Sequence, residues 1–494
     1  MAQSKHRITY FNPTSSNDNV IKSVSENFLE LPVLEGYPRE DKISIPSNTV
    51  LPRSIKLLRF QWSDGSSNVS PIFREPSTQQ LGFHIHAAPQ KDAHIENFWP
   101  DLCLLLTKIL GERISPDQFV ITTNSVYISR PATEIPAKLI ENVKTHWLQN
   151  DKAADVSSLN TLSALGSNID IIMKPDGVVF SSVIPDSSSI NELQETESTV
   201  FKSINEESST KQEIGIFLLD EGISSEDDLT LSGVRFIIDP LDSTSDDKLH
   251  KTLFHVKPRH RHFTSASYSV ALEDPVGLHP TLQIRFNDTL QSPQLGDGLD
   301  IEECKLFYYQ SLQKSFFVDK YQLPKNVSLI TLFGNSDLEA PAYKINSWGV
   351  EALLELESES DLDFTLHSRY QLPAKAGEND TITQTINTPS IFYACTVPKD
   401  SEALSASPFD YTSALAYNTG SFQSYFTDDT VFYHIDHSPK TLDINIPRGT
   451  GNPSEINYWT WLILGVGISW LLYKSVSLLW KPSPKPISPT KKTE

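Results

Sequence analysis

Three cysteines in 494 residues are too few for a disulfide framework, so at most one bridge can form. They are Cys103, Cys304 and Cys395, and Cys304 with Cys395 is the pair to test. Glycine is scarce, at 20 residues against 32 prolines, and no glycine-rich phosphate loop occurs. Neither G-x-S-x-G nor H-E-x-x-H is present, which removes the two commonest hydrolase signatures. Positive charge is also short. Lys and Arg number 41 against 62 Asp and Glu, a net −21 that argues against nucleic acid or anionic lipid as a partner. Long apolar runs are missing too, with one exception.

That exception is Tyr458 to Trp480, YWTWLILGVGISWLLYKSVSLLW. A membrane-crossing helix needs about 20 residues at 1.5 Å rise each. Stopping before Lys474 would leave the span short, so the helix is expected to reach Trp480 while the Lys474 ammonium snorkels to the headgroups. Tyr458, Trp459 and Trp461 would mark one interface and Trp480 the other. Beyond the helix stand Lys481, Lys485, Lys491 and Lys492, whereas Arg448 is alone close on the other side. The positive-inside rule therefore puts the tail in the cytosol. Span and tail together carry net +4, which leaves −25 on the rest of the chain's −21. Lys491 and Lys492 are fourth and third from the end, a pattern similar to the dilysine retrieval signal of endoplasmic reticulum membrane proteins.

The residues before the span are then expected to be lumenal, where four sequons become candidate glycosylation sites: Asn68, Asn287, Asn326 and Asn379. Proline excludes Asn12 and Asn452. The start, MAQSKHRITYFNP, has no apolar h-region, and the competing arrangement is a tail-anchored protein with a cytosolic body.

Alternating and β-branched segments outnumber helical ones, which predicts a mainly β fold. Residues 1–186 read as a β-rich region with helices over Ile95 to Leu110 and Ile135 to Leu148. Residues 187–232 read as an acidic, Ser- and Glu-rich loop with a connecting strand, and 233–446 as a β-sandwich-like domain. A stalk at 447–457, the span at 458–480 and a Lys-rich tail at 481–494 complete the chain.

Asp361-Leu-Asp363 offers carboxylates in the D-x-D spacing that can hold a metal ion and a sugar donor's phosphate. Yet Glu355, Glu357, Glu359, Asp361 and Asp363 recur at every second position, which on one strand would make a solvated acidic face with Leu354, Leu356 and Leu362 opposite. His84 with His86, and His255 with His260 and His262, have zinc-like spacing, but Lys257, Arg259 and Arg261 disfavour a divalent ion at the second group. Surface or partner contact is the expected role of these histidines. In FFVDKYQL, Phe317 and Tyr321 are expected to bury their rings while Asp319 accepts backbone N–H bonds. Gly465 and Ser469, four apart in the span, could admit another helix closely. No cofactor or metal is expected.

DPVGLHPTLQIRF (274–286), FFVDKYQLP (316–324), TLFGNSDLEAPAYKINSWGVEALLELE (331–357), LHSRYQLPA (366–374), SIFYACTV (390–397) and SYFTDDTVFYHID (424–436) resemble the PIG-X family. The likeness is greater to its fungal branch, the protease B nonderepressible proteins. The resemblance implies a non-catalytic endoplasmic reticulum subunit with a lumenal body and one C-terminal transmembrane helix. Its implied partner is the multispanning, PIG-M-type catalytic subunit of GPI mannosyltransferase I, which adds the first mannose to the GPI precursor. It also implies support for the folding of other secretory proteins. The alternatives are a general lumenal chaperone and a glycosyltransferase in its own right.

Overall fold

The computed structural model describes residues 4–12, 23–25, 28–32, 38–46, 51–63, 82–90, 95–130, 139–150, 168–184, 198–202, 211–220, 229–239, 249–256, 260–273, 277–293, 303–375, 377–399, 425–427, 429–449 and 452–480. Two compact units emerge, Met1–Tyr370 with Thr383–Ile446, and Gln371–Ile382 with Pro447–Glu494. The first is mainly β, as the alternating patterns predict.

Eleven strands form one mixed sheet in the order Leu249–Val256, Leu229–Ile238, Lys211–Asp220, Lys5–Asn12, Arg39–Pro46, Gly177–Ile184, Asn168–Lys174, Ile55–Ser63, Gly82–Pro89, Val126–Arg130, Val120–Ile121. Only Lys5–Asn12 beside Lys211–Asp220 is parallel. The sheet runs past Gly233 because Leu229–Ile238 and Leu249–Val256 extend the ladder started by Lys211–Asp220. Within the stretch expected as a loop, Ser198–Lys202 is a strand, paired with Phe28–Pro32. The pairing satisfies backbone groups that a loop would leave to water.

One face of the large sheet is apolar. Ile43, Phe60, Ile85, Ile128 and Ile171 meet Leu102, Leu105, Leu106 and Ile109 of helix α1 (Phe98–Leu110). Those four lie at three and four spacing, and burying each leucine contributes about 1.5–3 kcal/mol. Gly111, left-handed at φ 73°, ends the helix and donates its N–H to Thr107. Helix α2 (Leu139–Asn150) lays Leu139 and Val143 on the same core. The opposite face is polar yet buried: the register aligns Arg59, Gln61, His84, His86 and Tyr127 across three adjacent strands, and all five are under 5% exposed. Trp348, half-buried, lies edge-on to Tyr127 at 4.9 Å and donates its indole N–H to the Tyr127 carbonyl at 2.8 Å.

A second sheet has eight strands in the order Val327–Gly334, Gly349–Leu356, Glu303–Gln313, Ser390–Thr396, Thr430–Ser438, His260–Leu272, Thr281–Phe286, Leu362–Thr365. Tyr268, Tyr308, Leu354 and Phe364 are buried in it. The Tyr268 hydroxyl donates to the Pro389 carbonyl at 2.7 Å and accepts from the Ile391 N–H at 3.0 Å. Cys304 and Cys395, directly opposed on neighbouring strands, form the disulfide, and Cys103 stays a free thiol.

In the second unit the Ala374 N–H donates to the Gly449 carbonyl at 2.8 Å, and Arg448 pairs with Glu378 at 3.1 Å. Asn452 caps helix α3 (Pro453–Leu479), its side chain accepting the Ser454 N–H at 3.3 Å, with Pro453 in the first turn where its missing N–H costs nothing. Within Ser454–Leu478 the most apolar 18 residues have a mean hydropathy of 1.5, and α3 is long and apolar enough to cross a membrane.

Candidate functional site

Three of the quoted motifs meet at one arginine. Arg369, 2% exposed, lays its guanidinium over the Phe317 ring at 4.2 Å. It donates to the carbonyls of Asn335 (2.8 Å), Ala340 (2.9 Å) and Asp337. A rigid planar fork with five donors suits this task, because one side chain fixes a turn that has no ladder to satisfy it. Phe316–Phe317 pairs with His367–Ser368, the Arg369 N–H donates to Ser315, and the Ala342 N–H donates to Tyr370. The loops at 318–326, 335–345 and 366–370 are thereby tied to a common hub. Asp319, buried, accepts the Tyr321 N–H at 2.9 Å, as its place in the motif predicts. Phe317 is buried as expected, but Tyr321 is not: it is 78% exposed, under the Lys320 ammonium at 5.0 Å. The Asp319 turn accounts for this, since it points the chain outward just after the buried Val318. Leu338, Tyr343 and Tyr370 are also half or more exposed.

Arg369 was not singled out from the sequence, although it stands inside LHSRYQLPA. Its partners are backbone carbonyls, which no side-chain pattern reveals.

The acidic run does not lie on one strand. A turn at 357–361 separates Gly349–Leu356 from Leu362–Thr365, which breaks the expected two-residue alternation. The carboxylates instead have separate partners, except that Arg285 serves both Asp361 and Asp363. Asp363 accepts from Arg285 at 2.6 Å and Asp361 from the Phe286 N–H at 3.0 Å. Glu357 accepts from Ser328 and Glu359 from Tyr393, while Glu355 pairs with Lys305 at 3.4 Å. Leu354, Leu356 and Leu362 are buried as expected.

His84 and His86 are not surface groups: they sit on the buried polar face. His84 Nδ1 lies 2.8 Å from the Tyr127 hydroxyl, and the His86 ring stacks on Tyr127 at 4.0 Å. Burial, then His84 and Arg59, holds the His86 imidazole well below the usual histidine range, and hence neutral. The side chains of His255, His260 and His262 lie outside the described residues, as do Asn68, Lys491 and Lys492. Asn287 and Asn379 are exposed and Asn326 half-exposed; Asn287 donates to the Ser267 hydroxyl at 2.6 Å. Gly465 and Ser469 stand on the exposed surface of α3, and a Cβ added at Gly465 would meet open space.

Residues 275–476 match the family model described as PIG-X / PBN1, a span that takes in seven of the second sheet's eight strands, all but His260–Leu272, with the Arg369 hub and most of α3. Protein PBN1 of Debaryomyces hansenii is 36% identical, with 97% of this chain and 98% of the relative covered. Protein PBN1 of Candida albicans is 34% identical over 95% of this chain and 96% of its own length. Protein PBN1 of Saccharomyces cerevisiae is 31% identical over 53% of this chain and 58% of its own. Such likeness over nearly full length shows that the chain belongs to the PIG-X/PBN1 family.

Proposed function

We propose that this protein is a non-catalytic, single-pass subunit of the endoplasmic reticulum membrane that stabilises the catalytic subunit of GPI mannosyltransferase I. The observation that carries the reading is the PIG-X / PBN1 match, which extends without interruption from the second sheet into α3. Transfer from a lipid-linked donor needs a site in the membrane, and one crossing helix cannot enclose it. The D-x-D carboxylates are occupied by Arg285 and the Phe286 backbone, which favours a structural role for them. A lumenal body is supported by the Cys304–Cys395 bridge, since disulfides persist in oxidising compartments, and by the exposed sequons at Asn287 and Asn379.

Depleting this protein is expected to lower the steady-state level of the multispanning catalytic subunit together with first-mannose transfer. Lost transfer at a normal level of that subunit would overturn the stabilising role. Asp361→Asn with Asp363→Asn is expected to leave transfer intact. Both side chains are more than half exposed, so losing their pairing with Arg285 costs up to about 1 kcal/mol. Abolished transfer, with both subunits at normal levels, would revive a catalytic role.

Glycans should sit at some of Asn68, Asn287, Asn326 and Asn379. Endoglycosidase should then shift the protein's mobility, and protease added to sealed microsomes should remove only the tail beyond Trp480. Complete digestion of the body would establish the tail-anchored arrangement instead.

A further inference from the structure

We propose that Lys5, Arg7, Lys42, Lys211 and Arg235 form a cationic strip on the large sheet that docks an acidic, extended segment of a partner protein. This lies beyond the role proposed above and does not depend on it. The first observation is register. Lys5 stands opposite Lys211 and Arg7 opposite Lys42, on the neighbouring strands Lys211–Asp220, Lys5–Asn12 and Arg39–Pro46. Lys5 and Arg7 are two apart on their strand, so both like-charged pairs share one face. Arg235 joins that face from the next strand, where its guanidinium reaches Glu213 at 3.4 Å. Like charges directly opposed across strands are destabilising. Two such pairs side by side break a local rule of sheet design, and breaks of this kind concentrate at functional sites.

The second observation is depth. Three carboxylates answer these five cations: Glu40 accepts from Arg7 at 2.6 Å, Glu213 pairs with Lys5 and Arg235, and Asp239 pairs with Lys211 at 3.2 Å. The Glu40 side chain is fully buried and those of Glu213 and Asp239 are mostly so, whereas the Lys5 side chain is 46% exposed, Arg235 36% and Lys211 33%. Negative charge therefore lies beneath and positive charge outermost. The Lys42 amine registers the excess. Burial, then the Arg7 charge and that of Lys5, brings it down to about 7, although Glu40 and Asp170 act to hold it up.

The third observation is layout. Lys5 and Arg7 are spaced about 6.6 Å along their strand, which is also the repeat of alternate side chains in any other extended chain. Four adjacent strands, about 4.8 Å apart, carry the strip across about 14 Å of sheet. Several carboxylates on one peptide fit such a row. An anionic bilayer fits it less well, because a charged plane would also meet the rest of a chain of net −21. Screening acts over about 8 Å at physiological salt, so a peptide confined to the strip is governed by the strip.

The test is fluorescence anisotropy of a labelled octaglutamate peptide with the purified full-length protein in a neutral maltoside detergent. Lys5→Gln with Lys211→Gln is compared with Lys320→Gln plus Lys325→Gln, an equal change of charge at exposed positions away from the large sheet. Binding is expected to weaken about tenfold in the first double variant and less than about twofold in the second. Acylation of Lys42 at neutral pH, read by mass spectrometry, uses the wild-type chain alone and so stands whether or not the variants fold. Saturating peptide is expected to slow it, since a carboxylate nearby favours the charged amine. No binding by wild type, equal weakening in both double variants, or Lys42 acylation unchanged by peptide would overturn the proposal. Binding of phosphatidylserine vesicles but not of the peptide would overturn it in favour of a lipid surface.

Discussion

Arg59→Ala is expected to cost about 3–5 kcal/mol of stability and to deplete the protein at steady state. Arg59 is 1% exposed and grips Asp170 with two bonds, Nε to Oδ1 at 2.8 Å and Nη2 to Oδ2 at 2.5 Å. The register explains the grip: Arg59 stands opposite Ile172 and Gln61 opposite Asp170, which places the arginine diagonal to the carboxylate on one face. The planar fork matches both carboxylate oxygens, and lysine could not. Removing the guanidinium leaves the Asp170 carboxylate on a buried polar face without its bidentate partner. That uncompensated charge, rather than the lost attraction, dominates the cost. The converse substitution separates the two effects. Arg59→Met together with Asp170→Leu removes both charges at similar volume and is expected to recover most of the loss. The check is the midpoint of urea unfolding for wild type, single and double variants. A single variant within about 0.5 kcal/mol of wild type, the range of ordinary surface substitutions, would show that the pair holds nothing.

The same residues show what pattern reading catches and what it misses. Alternation in KLLRFQW and GFHIHAA marks strands, because apolar residues at every second position need a face to bury. It also leads to the expectation that His84 and His86 serve surface or partner contact, as they would on a sheet covered on one side only. In this fold the second face is covered too, and Trp348, 221 residues from Tyr127, helps to close it. No local pattern reports that a polar face will be buried by a distant segment. The acidic run illustrates a related limit: period two holds in the sequence across 355–363, but the chain turns at 357–361, and alternation through a turn carries no information about a common face.

Legibility at the candidate site divides along the same line. The Asp319 turn is local, its carboxylate bonding an N–H two residues on, and it could be read from FFVDKYQL. The exposure of Tyr321 could not, because an aromatic residue in an apolar motif normally pays back its burial in the core. Arg369 was invisible for a different reason: it bonds carbonyls at positions 335, 337 and 340, and every residue type offers a carbonyl. The membrane helix was legible throughout, since length and hydropathy alone specify it.

Replacing Cys304 and Cys395 together by alanine is expected to lower stability by about 4–5 kcal/mol if loop-closure entropy governs, and by about 2–5 on the general record of native bridges. The bridge spans 91 residues of sequence and fastens Glu303–Gln313 to Ser390–Thr396 at directly opposed positions. Between its ends lie Val327–Gly334, Gly349–Leu356 and Leu362–Thr365, together with the whole Arg369 hub. Reopening that loop returns entropy to the unfolded chain while leaving the native ladder in place. Alanine at both positions is preferred to serine, because Cys395 is fully buried and a hydroxyl there would need a partner. Thiol alkylation of the denatured wild-type chain reads the bridge directly: one reactive thiol, Cys103, before reduction and three after it. The same measurement bears on topology, since a body facing the cytosol would be kept reduced. Three reactive thiols before reduction, in protein taken from intact membranes under acid quench, would remove both the bridge and its support for a lumenal body. One reactive thiol with an unchanged unfolding midpoint in the double variant would instead leave the bridge intact as a marker of compartment and deny it a part in holding the second sheet.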